Sequence, residues 1–151
     1  MRRLLIFSAL AMTAAGASAQ LPGLSKRTGP PPRQQGALLT GIDALRADFL
    51  TTTGGDTIFF DAGSTGLSVA ARTRLTAQAA WLRQHPEVLV RVEGHGDGGD
   101  TRDHALAVGA RRAEGVRDYL VLLGVPLAQL GTTSWGKERP GSPRAVTTLV
   151  R

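Results

Sequence analysis

The sequence predicts a layered α/β domain, with helices packed over a mixed four-stranded sheet, and three observations point to it. Short runs rich in β-branched and aromatic residues alternate with stretches in which apolar residues recur every three or four positions. Turn formers such as Gly124, Pro126 and Pro140 mark the connections between them. Residues 42–151, about 110 in all, suffice for one hydrophobic core and are too few for two.

The chain starts outside that domain. Met1 to Ala19 carries Arg2 and Arg3, an apolar run from Leu4 to about Ala14, and the small residues Ala17-Ser18-Ala19. These are the three parts of a cleavable secretory signal. The apolar run falls well short of the ~20 residues a spanning helix needs, so no transmembrane span is expected. The expected mature chain begins near Gln20 and resides in the periplasm, free or peripheral to the outer membrane or cell wall. Residues 20–41 form a Pro/Gly-rich basic linker, with Pro30-Pro31-Pro32 at its centre and too few apolar residues to pack.

Charge narrows the partners. Of 18 basic and 12 acidic residues, the signal holds two basic ones and the linker three, Lys26, Arg27 and Arg33. Thirteen basic against twelve acidic residues remain in the domain, which is nearly neutral. A nucleic-acid reader needs its basic stripe on the folded part, so nucleic acid is not expected as a partner. The absence of Cys excludes disulfides and thiolate zinc sites.

Within the domain, Ile42, Leu45, Phe49 and Leu50 suit a short amphipathic helix docked on the main body. Thr57 to Phe60 reads as the first strand. Ser68 caps a helix whose apolar face carries Ala71, Leu75, Ala79 and Leu82, with Trp81 as core, until Pro86 forbids continuation. Val88 to Val92 forms the second strand. A further helix, in which Leu106, Ala113, Val116, Leu120 and Leu123 recur at helical spacing, places the first four on one face and ends at Gly124. Thr132 to Trp135 and Ala145 to Val150 supply the last two strands.

The stretch Glu93-Gly94-His95-Gly96-Asp97-Gly98-Gly99-Asp100-Thr101-Arg102-Asp103 stands out. So many Gly and Asp residues after a strand point to tight turns, close backbone approach and function. On the following helix Arg111 faces opposite the apolar stripe and is expected in water. Arg112 lies on the flank of that stripe, where packing can hold its guanidinium within reach of a ligand. Asp97 is close enough along the chain for a folded-back loop to bring its carboxylate beside Arg112.

Residues 92–125, VEGHGDGGDTRDHALAVGARRAEGVRDYLVLLGV, resemble the C-terminal OmpA-like domain, most closely its peptidoglycan-associated lipoprotein branch. Upstream Ile58-Phe59-Phe60-Asp61-Ala62-Gly63-Ser64 and downstream Ser134-Trp135-Gly136-Lys137-Glu138-Arg139-Pro140 with Arg144-Ala145-Val146 extend the similarity to roughly Asp56 to Arg151. The resemblance implies a βαβαβ-type two-layer sandwich and non-covalent binding of peptidoglycan at its diaminopimelate stem peptide. It implies no enzymatic activity and no cofactor. It places the ligand-binding Asp and Arg on Asp97 and Arg112, with Phe60, Asp61, Gly98 and Thr101 beside them. Arg144 resembles the second arginine of the closing motif and is expected to support fold or site. The Tol system and other envelope proteins enter as candidate partners.

Departures from the family pattern cluster at the loop. The lipoprotein branch needs a Cys after its signal, and this sequence has none, so acylation by that route is not expected. Gly98 and Gly99 precede Asp100 where the family has Asp-x-x-Gly, so the left-handed backbone position is expected to move. His104-Ala105 replaces a Tyr-Asn pair, which removes an amide. Gly96 replaces a larger residue, so a looser loop and weaker binding are expected. Only Gly141-Ser142-Pro143 separates the closing motif from the last strand, a shorter connection than the family's. Two alternatives remain open: a protein-interaction domain of the same fold with a degenerate wall site, and a small metal-dependent enzyme using His95, Asp97, Asp100 and His104.

Overall fold

The computed structural model describes residues 41–139, 141 and 143–150. The expected signal peptide at 1–19 and the linker, up to residue 40, lie outside the described residues. Three helices, α1 (Gly41–Thr53), α2 (Val69–Gln84) and α3 (Arg102–Leu122), accompany four strands, β1 (Thr57–Phe59), β2 (Val90–His95), β3 (Leu130–Gly136) and β4 (Arg144–Leu149). The order across the sheet is β1-β4-β2-β3. β4 pairs antiparallel with both β1 and β2, and β2 pairs parallel with β3 through the α3 crossover. The mixed four-stranded sheet and its helices are those the sequence predicts.

Local chemistry sets the ends of the elements. The Ser68 hydroxyl accepts from the Ala71 N–H at 3.1 Å, and the Thr101 hydroxyl accepts from the His104 N–H at 3.3 Å, so α2 and α3 start on side-chain caps. Gly124, at φ 89°, stops α3 in the left-handed conformation. The core joins Leu75, Ala79 and Leu82 of α2, Ala113, Val116 and Leu120 of α3, and Val90 and Val92 of β2. Each buried Leu or Val of this kind contributes roughly 1.5–3 kcal/mol through desolvation. Trp81 is buried, packs edge-on to Phe49 with centroids 5.1 Å apart, and donates its indole N–H to Asp48 at 2.6 Å, which docks α1. Buried Gln78 is satisfied on both sides, by the Gly55 carbonyl and the Thr147 hydroxyl.

Several expectations need correction. Strand β2 runs on to His95, so Glu93 and Gly94 belong to the sheet and the loop begins at Gly96. Leu50 is partly exposed, and Thr53 takes the inward place on α1. Leu106 is 49% exposed despite its apolar character. The reason lies in the small residues: the buried stripe of α3 runs through Ala105, Val108, Gly109 and Arg112, so the helix presses its smallest side chains onto the sheet. A Cβ on Gly94 would overlap the carbonyl of Gly109, which shows how closely β2 and α3 approach.

Candidate functional site

The β1–α2 connection, the end of β2, the loop after it and the middle of α3 converge on one guanidinium. Arg112 is fully buried, and all three of its nitrogens donate. Nε donates to the Ser64 carbonyl at 2.9 Å, one terminal nitrogen to the His95 carbonyl and to Asp97 Oδ1, both at 2.9 Å, and the other to the Asp61 carbonyl at 3.3 Å. Its carbon stands 5.3 Å from the centroid of the Phe60 ring. One cation therefore fastens two loops to a helix, in the planar fork geometry that only Arg provides.

Asp97 is held from both sides. Its other carboxylate oxygen accepts from the Gly63 N–H, and Gly63 adopts φ 68°, which turns that N–H toward it. The Arg112 hydrogen bond holds the Asp97 carboxyl below the usual carboxylate range, with the Gly63 N–H adding to it against a smaller opposing effect of burial. Some 17% of the Asp97 side chain stays exposed, so an ionised carboxylate shows one edge to solvent.

The structure brings Phe60, Asp61, Asp97 and Arg112 together as the sequence suggests. Gly98 and Thr101 sit on the same loop and are exposed; Thr101 serves as the α3 cap. Arg111 is exposed, as expected from its helical phase. The sequence assigns the Gly63 N–H and the Ser64 and His95 carbonyls no part in holding Asp97 and Arg112. Backbone groups leave no residue-type signature, and a glycine two residues after Asp61 was the one available hint.

The glycine expectations fare differently. Neither Gly98 nor Gly99 takes a positive φ; the left-handed positions nearest the site are Gly63 and Gly136. Gly96 is buried and tightly held, its N–H donating to the Gly136 carbonyl at 2.8 Å, and a Cβ there would overlap the backbone of Ala105. It marks close packing, not looseness. Ala105 is itself buried under Gly96, so the replaced amide position faces the protein interior.

The metal constellation does not assemble. Asp97 is committed to Arg112 and Gly63, His104 pairs with Asp100 at 3.6 Å, and His95 is buried on its own strand. Among the described residues no three such side chains converge on a point that could hold a metal ion. Burial, helped by Arg144 and Arg139 and opposed by Glu93, pushes the His95 imidazole below its ordinary value, and its Nδ1 has no hydrogen-bond partner among the described residues. Glu93 accepts from the Trp135 indole at 3.0 Å and from Arg139 at 2.8 Å, while the Arg139 guanidinium lies 3.7 Å over the Trp135 ring.

The OmpA family profile matches residues 59–148, the span that holds all of these groups. The chain belongs to the OmpA family. It is 46% identical to the peptidoglycan-associated lipoprotein of Mesorhizobium japonicum, over 63% of each chain. It is 48% identical over 86 residues to the protein of the same name from Agrobacterium fabrum, covering 57% of this chain and 49% of that one. The chain thus spans about half to just under two thirds of the length of these curated relatives. The crystal structure of the peptidoglycan-associated lipoprotein from Burkholderia pseudomallei matches with a TM-score of 0.61 at 32% identity, over 64% of this chain and 91% of that chain. The C-terminal domain of Helicobacter pylori MotB shares the fold, with a TM-score of 0.58 at 22% identity over 64% of this chain and 84% of that one. Among the described residues no helix is long and apolar enough to cross a membrane.

Proposed function

We propose that this OmpA-family domain is a non-catalytic module that binds peptidoglycan in the periplasm and helps organise the cell envelope. The observation that carries the reading is the Asp97–Arg112 pair, an ionised carboxylate with an exposed edge backed by an arginine. The free end of a diaminopimelate side chain is a zwitterion, an ammonium and a carboxylate on one carbon. Asp97 takes the ammonium, and Arg112 takes the carboxylate as a charge-assisted acceptor. The longest of the guanidinium's hydrogen bonds, to the Asp61 carbonyl at 3.3 Å, is the one a ligand carboxylate displaces. Phe60 supplies the apolar wall beneath, and Gly98 and Thr101 border the opening. The names of the relatives in Mesorhizobium and Agrobacterium, which associate those proteins with peptidoglycan, agree with this assignment.

A second reading rests on the same guanidinium. Arg112 is buried and already uses four of its five N–H groups, so the pair could serve only to pin the two loops in a protein-interaction domain. Sedimentation with purified sacculi separates the two. The wall-binding reading requires that the protein pellet with sacculi and that Asp97→Asn, which keeps an acceptor for Arg112 while removing the charge, stay in the supernatant. Wild-type protein left in the supernatant contradicts it.

A further inference from the structure

A groove of about 110 Å³ opens between the start of α3 and the end of β3. Its walls include Leu106, which is 49% exposed, and Trp135. Its lining carries charges of both signs, Arg102 and Lys137 against Asp103 and Glu138. Arg102 is paired with Glu138 at 2.9 Å, whereas the Lys137 ammonium donates to the Asp100 backbone carbonyl at 2.6 Å and has no carboxylate partner among the described residues. A neutral carbonyl satisfies one of three ammonium donors and leaves the positive charge uncompensated. Lys137 links the groove to the proposed ligand loop, because its ammonium is bonded to the Asp100 carbonyl on that loop.

We propose that this groove is a second subsite for the stem peptide, in which Lys137 receives the α-carboxylate of the γ-linked stem glutamate and Leu106 with Trp135 receives an apolar group beside it. The assignment rests on the wall-binding reading of Asp97. A stem-peptide glutamate linked through its γ-carboxyl keeps its α-carboxylate, one residue from diaminopimelate. Asp100, whose carbonyl the Lys137 ammonium holds, is three positions from Asp97, at most ~11 Å along the chain, and a diaminopimelate side chain plus one peptide unit is of about that length. Charge and apolar contact then act at separate ends of one ligand. Zwitterion capture at Asp97 selects the diaminopimelate end, and Lys137 selects the stem that carries it.

The test uses the mature protein and three calorimetric probes: free meso-diaminopimelate, the tripeptide L-alanyl-γ-D-glutamyl-meso-diaminopimelate, and the same tripeptide with its glutamate α-carboxylate amidated. Wild type should bind the acidic tripeptide about tenfold more tightly than either other probe, the size of one charge-assisted contact. Lys137→Ala should abolish that advantage while leaving meso-diaminopimelate binding unchanged, and Lys137→Arg should retain it. Leu106→Ser, at an exposed position, should weaken both tripeptides and spare meso-diaminopimelate. Equal tripeptide binding by wild type and Lys137→Ala overturns the subsite alone. A parallel loss for all three probes in Lys137→Ala also overturns it, since the lysine would then act only by holding the loop at Asp100. Failure of wild type to bind any probe overturns the wall-binding reading as well.

Discussion

Asp97 and Arg112 meet at 2.9 Å, but they share the contact unequally: the arginine is wholly buried and the carboxylate keeps an edge in solvent. In the proposed wall-binding reading ligand contact begins at Asp97, and Arg112, from behind it, holds the loops of residues 61–64 and 95–97 in one arrangement and donates to the ligand carboxylate. Removing either partner should have a different signature.

Arg112→Ala should destabilise the domain strongly. It leaves the Ser64, His95 and Asp61 carbonyls without their shared donor and Asp97 without its cation. Breaking a buried pair of this kind costs ~3–5 kcal/mol. For a domain of this size that is a fall of more than ~12 °C in Tm. Arg111→Ala, at an exposed position one residue away, should stay within ~0.5 kcal/mol of wild type. Thermal melts of the two variants check this, and equal shifts would remove Arg112 from its organising role.

Stability should fall on acidification through the histidine range. Burial holds the His95 pKa below its unfolded value, so the unfolded chain binds the proton more readily. The stability associated with neutral His95 is complete above the unfolded pKa, near ~6.5, and is lost as pH drops from there through the folded value. His95→Gln should flatten the dependence of Tm on pH between about 7 and 5. An unchanged slope would assign the effect to another group. Asp97 contributes in a lower window. Its depressed pKa stabilises the fold above the ordinary carboxylate range and ceases to do so as pH falls below about 4.

Most of the fold was legible because period and punctuation agree. Ser68, Pro86, Gly124 and Pro126 lie at element ends, and the alternation of patterns produced the right strands and helices. The misplaced residues share a cause. Leu106 was assigned inward by hydrophobicity, yet Ala105 and Gly109 set the contact side of α3, since small side chains permit backbone approach that a wheel of apolar residues does not register. Spacing and helical phase permitted the meeting of Asp97 with Arg112 without requiring it, and the family resemblance named both residues. The carbonyls of Asp61, Ser64 and His95 were not legible, because any residue type supplies a carbonyl.

Gly94→Ala and Gly96→Ala test that close approach. Each added methyl overlaps backbone, of Gly109 in one case and Ala105 in the other. Overpacking of this kind costs ~1–3 kcal/mol, visible as a lower denaturation midpoint with an unchanged slope. Gly98→Ala, at an exposed glycine with open space around it and no positive φ, should be nearly neutral. Similar losses at all three positions would mean that the glycines serve loop flexibility and not packing.

Arg144 should matter where Arg111 does not. It pairs with Phe59 across β1 and β4, crowds Gly141 and lies close enough to His95 to lower its pKa. Arg144→Ala should therefore lower Tm measurably and raise the His95 pKa, which a proton NMR titration of the imidazole reports. An Arg144→Ala variant with wild-type Tm and an unmoved His95 titration would contradict this.

The most direct measurement is calorimetric titration of a diaminopimelate-containing muropeptide into wild type and Asp97→Asn, with Arg111→Ala as the control. Loss of one partner of a desolvated charged contact costs ~2–5 kcal/mol, so Asp97→Asn should bind at least ~30-fold more weakly while wild type and Arg111→Ala bind alike. Wild type that releases no heat of binding, or an Asp97→Asn variant that binds as tightly as wild type, would contradict the assignment of Asp97 and Arg112 to peptidoglycan.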